Sequence, residues 1–125
     1  MSLAGRALIV DVVLVLVFVA IGRRTHAESG ALVGIAATAW PFLVGLAAGW
    51  LLGRVHQRPV RVWPEGAAVW LSTVAVGVLL RGLTDAGTAV SFIVVATVVL
   101  GVFLLGWRAA AGALGRRSRG RRSRV

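Results

Sequence analysis

Thr38-Ala-Trp-Pro-Phe-Leu-Val-Gly-Leu-Ala-Ala-Gly-Trp-Leu-Leu-Gly53 is the stretch whose reading decides the fold. It holds no charged residue, so it suits the interior of a bilayer. Yet it carries Pro41, Trp40, Trp50 and a glycine at every fourth position, Gly45, Gly49 and Gly53. A proline within a helix frees the carbonyl four residues earlier, here that of Ala37, and bends the axis. Glycines four apart share one helix face and form a flat strip on which another helix can approach closely. The segment reads as the packing post of a small membrane bundle.

Composition carries that reading to the whole chain. Of 125 residues, 58% are hydrophobic and only 14% charged, with a mean hydropathy of +0.90. A water-soluble domain carries roughly 25% charged residues, which this chain lacks. All 14 basic residues are arginine, and Lys, Asn, Cys and Tyr are absent. The absence of cysteine removes disulfides, thiolate catalysis, iron–sulfur ligation and thiolate zinc sites together.

Four apolar runs, at about residues 3–22, 31–52, 66–84 and 87–107, each match a hydrocarbon core of about 30 Å at 1.5 Å rise per residue. The expected fold is all-α: a four-transmembrane-helix bundle occupying residues 1–108, with no room for a soluble domain. The first run has some features of a secretory signal, with Thr25-His26-Ala27 as a poor cleavage site. Asp11 within the run and three further spans needing a partner argue against cleavage.

Arginine placement sets the expected orientation. With both termini inside, eleven of the arginines lie on the cytoplasmic side, including Arg6, Arg54, Arg58, Arg61 and Arg108; Arg23, Arg24 and Arg81 lie outside. The positive-inside rule favours that arrangement, in what is expected to be the plasma membrane. Trp50, Trp63, Trp70 and Trp107 all fall at the same proposed interface, where indoles prefer to sit. The tail, Gly115-Arg-Arg-Ser-Arg-Gly-Arg-Arg-Ser-Arg-Val125, has no apolar face, so residues 109–125 are expected to be disordered. Its expected partner is the anionic headgroup layer, at about 1 kcal/mol per arginine. Nucleic acid is not expected, because the tail lacks interleaved aromatics and a folded module.

Polar residues inside the spans are costly and call for partners. Counting from residue 3, Asp11 lies about 12 Å into the first span. Thr38, Trp40, Thr73 and Thr97 fall at comparable mid-span depths, so a polar belt around Asp11 is expected. Thr73, Gly77 and Arg81 follow at i, i+4 and i+8, which puts them on one face. An Asp11–Arg81 ion pair is then one option; Arg81 snorkelling outward, or pairing with Asp85 or Glu28, is another. The candidate intramembrane site is Asp11, Trp40, Thr73, Arg81 and Thr97. The candidate packing residues are Pro41, Gly45, Gly49, Gly53 and Gly77. In the first outer loop, Arg23 and His26 stand out, but one histidine beside Glu28 falls short of the three or four ligands a metal needs. No nucleophile–base pair, phosphate loop or paired catalytic carboxylates appear, so neither catalysis nor a cofactor is expected.

Asp11, Gly22-Arg23 with His26, Trp40-Pro41-Phe42, Gly49-Trp50, Pro59, Arg81, Phe92 and Gly106-Trp107-Arg108 occur in an order that resembles the domain of unknown function 3054 family. These are small integral membrane proteins found largely in high-GC bacteria and archaea. The resemblance extends to about Arg108. It implies a four-span membrane protein without an assigned activity, and no site residues carry over. Small multidrug transporters also have four short spans and an acid in the first. Their acid is a glutamate in a different local sequence, and the arginine bias here argues against dual topology.

Two functional classes follow from the sequence. The first is a non-enzymatic scaffold or accessory subunit, as a homo-oligomer or within a larger complex, with a buried polar network around Asp11. The second is a small oligomeric proton-coupled transporter or channel using Asp11. Binding of a lipid or isoprenoid against Trp40 and Phe42 is a third alternative.

Overall fold

The computed structural model describes residues 2–22, 31–83 and 90–123. Arg23, His26 and Glu28 of the first outer loop, and Asp85 of the loop after the third span, lie outside them. Four helices carry the fold: α1 (Leu3–Gly22), α2 (Ala31–Leu52), α3 (Ala67–Leu83) and α4 (Val90–Ser123). A short 3-10 turn, Val55–Gln57, and a wide turn, Val62–Gly66, connect α2 to α3, and the Trp63–Pro64 peptide is cis. All four helices have apolar windows long enough to cross a membrane: Leu3–Ile21, Gly34–Leu52, Val62–Leu83 and Val90–Gly115. Large apolar side chains such as Val13, Val44, Leu51, Leu79, Val94 and Val102 stand exposed along them. Such a surface is stable against hydrocarbon and not against water.

The α2–α3 pair is the tightest contact, and glycine makes it so. A Cβ at Gly45 would stand 2.7 Å from the Ser72 carbonyl oxygen and 2.9 Å from the Thr73 Cα; at Gly49 it would stand 3.0 Å from the Val69 Cα. A Cβ at Gly53 would stand 3.1 Å from the Ala68 Cβ. The close approach lets the Ser72 hydroxyl donate to the Gly45 carbonyl at 2.8 Å, a bond between helices where water offers no alternative. Higher up the same pair, Gly77 leaves the space that the Phe42 ring fills. Pro41 is buried within α2, which continues through it.

The core between the helices is built on Phe18, Phe42 and Phe92, one ring each from α1, α2 and α4. Phe18 meets Phe42 edge-on with centroids 5.7 Å apart, and Phe92 closes the trio at 6.5 and 6.1 Å. Val15, Leu46, Val69, Leu100 and Leu104 extend it toward the α2–α3 connection, all essentially inaccessible.

Two sequence expectations are corrected at the end of α4. The fourth span does not close at Trp107: its apolar window reaches Gly115, and Arg108 lies inside the bundle with no exposed surface. The chain from Ala109 onward is helix to Ser123, where a disordered tail was expected. Alanine, leucine and arginine are strong helix formers, and Ala109, Ala110, Ala111, Ala113 and Leu114 carry the helix onward from a span already nucleated.

Candidate functional site

Asp11 faces inward from α1 and is wholly buried. Its partner is Arg108 of α4, with the two terminal guanidinium nitrogens on the two carboxylate oxygens: Nη1–Oδ1 at 2.9 Å and Nη2–Oδ2 at 2.6 Å. Arginine's planar fork matches a carboxylate in this two-point way, which fixes orientation as well as distance. Two indoles complete the shell. The Trp50 Nε1–H donates to Oδ2 at 2.8 Å, and the Trp107 Nε1–H donates to Oδ1 at 2.8 Å. The carboxylate thus accepts four hydrogen bonds, two on each oxygen, from α2 and α4.

Arg108 is as fully engaged. Its Nε–H donates to the Pro59 carbonyl at 3.0 Å and its Nη1 to the Leu104 carbonyl, one turn earlier, at 2.9 Å. The guanidinium also lies 4.8 Å from the Trp107 ring centre. A Cβ on Gly66 would stand 2.9 Å from the Arg108 Cδ, so a glycine at the start of α3 gives the arginine stem its passage. Val55 and Pro59 are buried, and with the Pro59 carbonyl on Arg108 the α2–α3 connection folds over the ion pair. Removing two charges from water carries a penalty of several kcal/mol per ion, offset only when geometry is good and the remaining donors and acceptors are matched. Here the carboxylate accepts four hydrogen bonds and the guanidinium donates four.

The depth of the pair differs from the expected one. Trp50 is two residues from the end of α2, about 3 Å along the axis, so Asp11 lies at the connection end of the α2–α3 pair and not at its middle. Counting from Leu3 misplaces it because α1 starts about 12 Å beyond that level, and α4 continues about 22 Å past Arg108.

The polar belt expected around Asp11 does not assemble. Arg81 belongs to the far end of α3, where its guanidinium carbon lies 4.5 Å over the Phe92 ring. Trp40 is 43% exposed and faces outward from α2. The Thr73 hydroxyl, though buried, donates to its own helix at the Val69 carbonyl, 2.6 Å. Thr97 does likewise to the Ile93 carbonyl at 2.7 Å, while its own carbonyl accepts the Trp70 Nε1–H at 2.9 Å. Trp50, Trp107 and Arg108 take the places assigned to these residues. By sequence alone all three read as markers of the membrane boundary. The signal for Arg108 was the apolar run 109–114 behind it, which makes an interfacial arginine an internal one.

A second carboxylate is buried nearby. Glu65, in the wide turn before α3, lies 3.8 Å from the Arg61 Nε, and its Oε2 has no hydrogen bond. Its place at the start of α3 puts it in the favourable field of that helix's N-terminus. Among the described residues no group of three or more His, Cys, Asp or Glu side chains converges.

A protein-family model matches residues 8–111, a range that includes Asp11, Trp50, Trp107 and Arg108. The chain belongs to the DUF3054 family. That family is described as a protein of unknown function. No curated protein and no solved structure matches the chain. The matched range runs three residues beyond Arg108, so the whole ion-pair site lies within the family domain.

Proposed function

We propose that this DUF3054 protein is a non-enzymatic scaffold or accessory subunit of the plasma membrane. In this reading the Asp11–Arg108 pair fastens α1 to α4, and the outer helix faces remain available to lipid and to other membrane proteins. The observation that carries it is the closed shell of Asp11. Both oxygens are occupied by four donors, and neither Asp11 nor Arg108 has exposed surface. A carboxylate that carried protons or cations would need an open position and a wet path, as polar groups of transport pathways do.

The orientation proposed is with both termini in the cytoplasm. With Arg108 now internal, ten arginines remain on that side against three on the other, so the bias that favours it persists. The arginines after Gly115 would then rest on anionic headgroups.

The test is reconstitution into proteoliposomes with imposed gradients of protons, sodium, potassium and a cationic dye. No flux above empty vesicles is expected, while mild solubilisation and crosslinking should recover the protein in an assembly larger than one chain. A pH-dependent flux abolished by Asp11→Asn in a folded protein would overturn the scaffold reading in favour of proton-coupled transport.

A further inference from the structure

On the side of the Asp11–Arg108 pair, the helices do not leave the hydrocarbon at one level. The apolar window of α1 begins at Leu3, about 12 Å beyond Asp11, and that of α4 runs to Gly115, about 10 Å beyond Arg108. The window of α2 ends at Leu52, only about 3 Å beyond the pair. The connection after it folds back and does not project: the Pro59 carbonyl accepts from the buried Arg108 at 3.0 Å, and Val55 has no exposed surface. The α2–α3 connection is thus a floor set about 9 Å below the start of α1.

That floor is basic. Arg54 and Arg58 are exposed, and neither side chain makes a hydrogen bond or ion pair among the described residues. Asp11 and Glu65, the two described carboxylates, are both buried, so no exposed acid competes for these guanidinium groups. The turn Val55–Gln57 packs on α1, whose exposed Arg6 adds a further cation about 7 Å beyond Asp11. The lip of the floor, by contrast, is apolar. Leu51 and Leu52 are 78% and 84% exposed, and Trp63, before α3, is 73% exposed. Exposed leucines call for acyl chains, and an indole prefers the boundary between hydrocarbon and headgroups. Hydrocarbon should therefore end at the connection on this side of the bundle. A flat leaflet cannot serve both levels. Ending at Leu3, it would bury Arg54 and Arg58 with no counter-charge; ending at Leu52, it would leave the exposed Leu3 and Leu114 in water.

We infer that the connection binds an anionic phospholipid of the leaflet on its own side and draws that headgroup inward. The phosphate lies on Arg54 and Arg58, whose planar forks match its oxygens, and the acyl chains lie against Leu51 and Leu52. Local thinning of a leaflet by this amount is modest in cost. The inference goes beyond the scaffold reading and does not depend on it. It also differs from the attraction of the arginines after Gly115, which lie past the apolar window of α4.

Native mass spectrometry of the full-length protein in mild detergent tests it, with dioleoyl phosphatidylglycerol and dioleoyl phosphatidylcholine as probes. One retained lipid per chain is expected, with phosphatidylglycerol preferred about 30-fold, the ratio that two arginines near a headgroup provide. Arg54→Asn combined with Arg58→Gln should lower that preference below about threefold. Asparagine suits the positive φ of 49° at Arg54, so the turn keeps its shape. Replacing the six arginines after Gly115 by glutamine should leave the preference in place. Equal retention of the two lipids, or a preference lost with those six and kept in the Arg54/Arg58 variant, would overturn the assignment. Displacement of the lipid by inorganic phosphate would overturn it in favour of a soluble anion. The chain has no cysteine, so single nitroxide labels at Leu3→Cys and Gln57→Cys report depth in vesicles of the same lipids. Both are expected at headgroup depth; a difference of about 9 Å between them would show a flat leaflet and overturn the inward-drawn headgroup.

Discussion

If Asp11 and Arg108 form one closed unit, removing either alone should cost more than removing both. Arg108→Met takes away the two guanidinium bonds and leaves a buried carboxylate with the Trp50 and Trp107 indoles only. Asp11→Asn leaves the guanidinium with the Leu104 and Pro59 carbonyls as acceptors, and it turns one carboxylate oxygen into an amide nitrogen. That nitrogen would then face a guanidinium nitrogen and an indole N–H, both donors. Breaking one side of a buried pair costs about 3–5 kcal/mol. Arg108→Met should fall toward the lower figure because two indole donors remain, and Asp11→Asn toward the upper. The double variant removes both charges and leaves an amide that still accepts from an indole, so its cost should be about 1–2 kcal/mol. The coupling between the sites is then about 6 kcal/mol, the excess of the two single costs over the double cost that a double-mutant cycle isolates. The assay is reversible unfolding in mixed micelles followed by tryptophan emission, since two of the reporting indoles touch the pair. Additive single effects, with coupling below about 1 kcal/mol, would refute the claim that these residues act as one unit.

Two further predictions use the same assay. Trp50→Phe and Trp107→Phe should each destabilise by about 1.5–3 kcal/mol, the worth of a hydrogen bond to a charged group, whereas Trp40→Phe at its exposed position should change stability by less than about 0.5 kcal/mol. Gly45→Ala should cost about 1–3 kcal/mol, because the new methyl meets the Ser72 and Thr73 backbone, which cannot yield without parting the helices. Gly106→Ala, with nothing within 4 Å, should be neutral or stabilising by up to about 1 kcal/mol, and near-equal costs at the two glycines would count against the packing account.

Apolar run length made the four helices legible, because a bilayer demands about 20 apolar residues per crossing and little else in a protein does. The spacing of Gly45, Gly49 and Gly53 made the close face of α2 legible for a similarly local reason. The ion pair was harder to read, since it depends on where four helices stand relative to one another. Counting depth from the first residue of each span assumes that all spans begin at one plane. They do not: α1 begins about 12 Å beyond the level of the ion pair, whereas α2 ends only about 3 Å beyond it. A count that ignores this offset pairs Asp11 with mid-span threonines and Trp40 instead of with Trp50 near the end of α2. Arg108 was hidden by a second local habit. An arginine following Gly-Trp at the end of an apolar run reads as a boundary marker unless the residues beyond it are weighed too.

That offset also bears on what the pair contributes. In hydrocarbon, helix faces rich in Val, Leu and Ala slide past one another at small cost, because lipid is as apolar as the partner helix. The α1 and α4 faces are of this kind, and a cleft between Phe18 and Val95 marks how loosely they fit away from the ion pair. A two-point arginine–carboxylate contact is different. Shifting α4 by one residue moves Arg108 about 1.5 Å along the axis and turns it by roughly a quarter of a turn, which breaks both bonds and strands two charges. Trp107 and Trp50 tighten the same condition by requiring a donor from each of α4 and α2 at one height. The pair therefore contributes register more than net stability. An apolar pair of similar volume at these two positions should leave a bundle that still inserts but no longer holds α1 and α4 at a single relative height.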